Sequence, residues 1–88
     1  HESVKMLGES LFREVSSLFP QVSSLSHSES LVYLEGSEHP ELYSFIIVGI
    51  PQNRREFTNA QKLRFENWLK QRLGTERLKV FYSADNNS

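Results

Sequence analysis

Thr58 stands three residues ahead of Gln61, the spacing at which a hydroxyl caps the first turn of a helix and a side-chain amide reaches back to the cap's own N–H. Further on, Gly74 offers the left-handed conformation that closes a helix. Between them, Phe65, Trp68, Leu69 and Leu73 fall within about 140° of one another on a 3.6-residue wheel, so the segment is predicted to be a helix that buries one stripe. The chain then changes period. Leu78, Val80 and Tyr82 alternate with Lys79, Phe81 and Ser83, which is the two-residue repeat of a strand. The rest of the chain has to pack against the stripe of this helix-to-strand unit.

Upstream, Val4, Leu7, Leu11, Val15 and Leu18 recur every three or four residues and predict a first helix on the same grounds. Pro20 disfavours helical geometry at Phe19, which sets the end of that helix near Leu18. Residues 21–30 alternate serines with Val22 and Leu25 and are expected to form an irregular or edge strand. Residues 31–34 are β-prone, turn residues fill 36–40, and residues 42–50 form a second strand, giving a hairpin. From Phe45 to Ile50 the second strand is almost continuously apolar, as expected of a central strand with neighbours on both sides. The order α, β, β, α, β predicts an α+β domain, with both helices on one face of a mixed three-stranded sheet. Residues 85–88 are expected to be a polar tail.

At 88 residues the chain has room for one core and therefore one domain, residues 1–88. It starts on His1 and is expected to be a fragment of a longer protein. Absence of cysteine excludes disulfides and thiolate chemistry, without specifying a compartment. The longest apolar run is far short of the roughly 20 residues that span a bilayer. A net charge of −1 conceals an uneven distribution: two Lys or Arg face seven Glu in residues 1–53, and eight face four acids in residues 54–88. Such asymmetry serves internal packing, self-association or a charged partner.

A helix ending in Phe19, Pro20, Gln21 and Val22, two strands, a helix ending in the run from Leu69 to Gly74 and a last strand from Leu78 to Tyr82 together resemble small soluble domains attached to membrane proteins. The C-terminal domains of cation diffusion facilitators and the ring-building domains of secretion systems share this ferredoxin-like order. The resemblance covers nearly the whole chain in topology. It implies a role in oligomerisation or regulation beside a membrane-embedded domain, on its cytoplasmic or periplasmic face. The His and Asp metal ligands of the transporter domains have no counterpart that can be placed in this sequence.

Each candidate site in the sequence has a plainer role beside the functional one. His27 and His39, with Glu29, Glu38 and Glu41 nearby, could supply metal ligands, but their spacing matches no metal motif. No metal, cofactor or catalytic residue is assigned. The basic residues Arg54, Arg55, Lys62, Arg64, Lys70, Arg72, Arg77 and Lys79, with aromatic neighbours, could meet a nucleic-acid backbone or an anionic membrane. A solvated helix face with salt bridges to the acidic half is the plainer account. Phe57, Leu63 and Phe81 are not required by the helix stripe and are candidates for a partner surface, together with Arg54, Arg55, Arg64 and Lys70. The expected function is a non-enzymatic interaction or oligomerisation module, with a nucleic-acid-binding domain using residues 54–79 as the alternative. The apolar second strand must project side chains to both faces of the sheet, so a homodimer or another domain of the same protein is expected to cover the face without helices.

Overall fold

The computed structural model describes the backbone of residues 2–85 and the side chains of residues 7–84. Helix α1 spans Glu2–Leu18, strand β1 Ser24–Val32, strand β2 Glu41–Pro51, helix α2 Asn59–Leu73 and strand β3 Leu78–Asp85. The sheet order is β1-β2-β3. β1 runs antiparallel to β2, with His27 opposite Ile46, and β2 runs parallel to β3, with Ile46 opposite Val80. The architecture is α+β in the order α-β-β-α-β, with the apolar strand in the centre. Val4 has no described side chain, and Asn86, Asn87 and Ser88 lie outside the described residues.

Each boundary of α2 has a local cause. Thr58 accepts the N–H of Gln61 at 3.1 Å through its hydroxyl and donates its own N–H to the Gln61 side chain at 2.9 Å. This capping box satisfies one of the helix's free donors and fixes the entering chain. At the other end Gly74 takes φ 68°, where a side chain would be strained, and the N–H of Thr75 returns to the carbonyl of Lys70 at 3.1 Å. The hairpin uses a second glycine in the same way. Gly36 has φ 81° in a turn closed by the Ser37 N–H on the Leu34 carbonyl at 3.1 Å.

Leu11 and Val15 from α1, Ile46, Val48 and Ile50 from β2, and Phe65 and Leu69 from α2 form one buried cluster. The even-numbered positions of β2 therefore face both helices, which places the helices on a single side of the sheet. Three local details differ from the sequence reading. The serine-rich segment and the start of the β-prone one form a single edge strand that ends at Val32, leaving Tyr33 and Leu34 exposed in the hairpin loop. Leu18 is 55% exposed, and Phe19 is buried in its place: the Phe19 N–H still donates to the Val15 carbonyl at 2.7 Å, and this last helical bond carries Phe19 inward. Phe57, a candidate for a partner surface, is only 7% exposed, because the loop that leads into α2 turns its ring into the core.

Phe57 belongs to a group of five rings. Phe19 meets Phe65 at 5.0 Å and Phe57 at 5.9 Å, and also lies edge-on to Trp68. Tyr82 meets Phe57 at 5.9 Å, edge-on. Edge-to-face contacts of this kind add to the stabilisation that burial alone provides. The Tyr82 hydroxyl avoids an unpaired burial by donating to Glu66 at 2.7 Å. Burial and that carboxylate together hold the phenol well above its ordinary ionisation range.

Candidate interaction surface

Strand alternation distributes the side chains of the sheet between two faces. Odd-numbered positions of β2 and β3, and even-numbered positions of β1, point away from the helices. In consecutive cross-strand rows this open face presents Ser28, Phe45 and Lys79, then Ser26, Ile47 and Phe81, then Ser24, Gly49 and Ser83. Ser30 and Tyr43 form a further pair. Ile47 is 46% exposed and Phe81 49% exposed. The rings of Phe45 and Phe81 stack with centroids 6.2 Å apart and planes only 2° from parallel. The Lys79 ammonium lies 5.2 Å from the centre of the Tyr43 ring, near enough for a cation–π attraction. The face thus has relief: an aromatic and aliphatic ridge over β2 and β3, beside a shelf of four serines on β1.

The basic residues do not gather on this face. Arg72 grips Glu14 of α1 through both Nε, at 2.9 Å from Oε1, and Nη2, at 2.9 Å from Oε2, while Ser10 donates to the same carboxylate at 3.0 Å. The hydrogen bond from Arg72 lowers the carboxyl pKa of Glu14 below its ordinary value, and the pair raises that of Arg72. Arg77 pairs with Glu41 at 3.0 Å. The ammonium of Lys62 lies 4.9 Å from the centre of the Tyr82 ring. Both ion pairs join the basic part of the chain to the acidic part, so some of the charge asymmetry serves the fold itself.

Of the proposed surface residues, Phe81 lies on the open face. Leu63 is exposed on α2, in the layer on the other side of the sheet. Arg54, Arg55 and Arg64 converge on a groove beside the exit of α1, and Lys70 sits separately near the end of α2. Tyr43, Phe45 and Ile47 complete the open face. For Phe45 and Ile47 the signal was the two-sided apolar run of β2. Tyr43 joins them by strand alternation, two residues before Phe45 on β2. Among the described residues, no group of three His, Asp or Glu side chains comes together to hold a metal. His27 lies on the helix side of β1 with both ring nitrogens buried and, among the described residues, without a hydrogen-bond partner, whereas His39 is in the hairpin loop. Among the described residues, no helix is long and apolar enough to cross a membrane.

These features define a small α+β domain with one helix-covered and one open sheet face. The chain belongs to the family described as a domain of unknown function, DUF8492, whose model matches residues 7–83. No curated protein and no solved structure gives a significant match.

Proposed function

We propose that the domain is a non-enzymatic self-association module whose open sheet face packs against the same face of a second copy. The observation that carries this reading is the uncovered ridge of Phe45, Ile47 and Phe81, an apolar surface for which water is a poor destination. Charge favours a like partner over an ionic one. In the rows from Ser24 to Phe45 and on β3 to Ser83, Lys79 is the single charged side chain of the face. Shape favours it too. A twofold axis lying between two such faces and along the strands sets β1 of one copy over β3 of the other, so that the serine shelf of each receives the Phe81 side of its mate.

The topological resemblance to soluble domains of membrane transporters and secretion rings extends this reading to a regulatory or assembly domain beside a membrane-embedded part. Light scattering over a range of concentrations tests the association. The wild-type mass is expected to rise toward twice that of one chain, and Phe81→Lys or Ile47→Lys to remain monomeric while melting as a folded protein. A wild-type chain that stays monomeric at the highest attainable concentration overturns self-association and leaves the face to another domain.

A further inference from the structure

We propose that the arginine-lined groove between the exit of α1 and the start of α2 is a binding site for a phosphate monoester. The inference is independent of face-to-face association, because the groove lies on the helix side of the molecule. Its cavity of about 430 Å³ is bordered by Leu18 and Pro20 from the end of α1, Arg54 and Arg55 from the loop after β2, and Gln61 and Arg64 from α2. Three cations converge here, and none of the residues bordering the groove is a carboxylate. Glu56, adjacent in sequence, borders a different cavity with Lys62 and Tyr82.

Among the described residues, the cations of the basic half outside this groove are paired, lie over rings or, like Lys70 near the end of α2, stand singly. Arg72 and Arg77 have carboxylate partners, and Lys62 and Lys79 lie over tyrosine rings. Among the described residues, the three groove arginines have no ion-pair partner. Arg54 is nonetheless held in place, since its Nη1 donates to the carbonyls of Pro20 at 3.2 Å and Val22 at 3.4 Å. These neutral acceptors orient the guanidinium without cancelling its charge, and its remaining N–H groups stay available. Gln61 spends its side-chain oxygen on the Thr58 N–H, which leaves its NH₂ as a further donor.

A guanidinium presents paired N–H groups at the spacing of two phosphate oxygens, and charge-assisted bonds of this kind are stronger than neutral ones. Three such groups bordering one groove repel one another, and a dianion relieves that repulsion where a single negative charge does so only partly. The cavity is larger than a bare phosphate group requires. Leu18, more than half exposed, and Pro20 supply an apolar wall for the organic part of an ester. The same phosphate chemistry is offered by a soluble metabolite and by the headgroup of a phosphatidic-acid-type lipid.

The test is titration of the domain, at constant ionic strength, with glycerol 3-phosphate, followed by calorimetry and by amide shifts of residues around Arg55 and Arg64. Parallel titrations use inorganic phosphate and phosphatidylcholine vesicles with and without phosphatidic acid. Saturable binding is expected, weakened about tenfold or more by Arg55→Gln and by Arg64→Gln, and unchanged by Lys79→Gln on the open face. Arg55 and Arg64 are exposed and make no internal bond among the described residues, so these variants keep the fold, and a melting curve verifies it. Binding to the soluble ester identifies a metabolite as the source. Binding only to phosphatidic acid vesicles identifies a lipid headgroup, and both results support the site. Equal shifts with chloride, or affinity unchanged in both arginine variants, overturns it. Tighter binding of an oligonucleotide lacking terminal phosphates also overturns it, in favour of a nucleic-acid backbone.

Discussion

Phe81 and Tyr82 are neighbours in β3 and meet opposite environments. Tyr82 enters a ring cluster with Phe57 and Phe65 under the helices, whereas Phe81 stacks on Phe45 in the open. The difference arises from strand alternation, since one residue of phase decides which side of a sheet a ring occupies. It also divides the aromatic residues by task. Rings on the helix side meet at steep angles and fill a volume from several directions, as interior packing demands. On the open side Phe45 and Phe81 lie parallel and form a ridge with one side unfilled. Interior rings specify the fold, and the ridge is free to serve an interaction.

Truncation breaks or upholds this division most directly. Phe65→Ala removes a fully buried ring and is expected to cost about 3–5 kcal/mol in chemical denaturation. Phe81→Ala, measured at concentrations where the chain is monomeric, is expected to cost less than about 1 kcal/mol. Equal costs would mean that the open face is as well packed as the helix side. Tyr82→Phe keeps the ring and removes its hydrogen bond to Glu66. Because the acceptor is a carboxylate and the phenol only half-buried, a loss of about 1–3 kcal/mol is expected. No measurable change would show that packing alone holds this strand end to α2. Thr58→Ala should cost about 0.5–2 kcal/mol while leaving self-association intact. A loss of association in that variant would show that the open face depends on how α2 is seated.

The sequence exposed what depends on local spacing. The capping box from Thr58 to Gln61, the αL stop at Gly74, the α2 stripe and the phase of β3 are all set by residues within a few positions of one another, so they could be read before any contact was known. The contents of the open face were only half legible. An apolar run such as the one from Phe45 to Ile50 has to project to both sides, but which half of it lies on the open face, Phe45 and Ile47, follows only from the burial of Ile46, Val48 and Ile50 under the helices. The serine shelf needed the register of β1 against β2, a long-range quantity with no local signal. Phe57 shows the same limit inside the core, because a loop residue has no periodicity to assign it a side. The groove arginines were visible as charges, but their convergence depends on Pro20 and Arg54 meeting across the fold.

Acid offers the finest separation of the two sides, because the helix layer carries a titrating clasp at its outer edge. Glu14 is gripped by Arg72 and Ser10, and its carboxyl pKa in the folded chain lies below the ordinary value of 4.5. A depressed folded value means that the unfolded chain takes up the proton first as pH falls. The contribution of the clasp is therefore complete above 4.5 and declines as pH falls from there toward the folded value. The arginine stays charged throughout. Glu14→Gln removes this titration, so the wild-type advantage in melting temperature, present at neutral pH, should narrow in that acid window. Salt should narrow it too, because the pair is part-exposed and screened. A gap of constant size across the window would assign the clasp to packing and not to charge. The ridge has no carboxylate of its own, so the mutual packing of Phe45, Ile47 and Phe81 should be the same on both sides of the window. Dimer dissociation that follows the Glu14 titration, and is abolished by Glu14→Gln, would show the helix layer and the open face to be coupled.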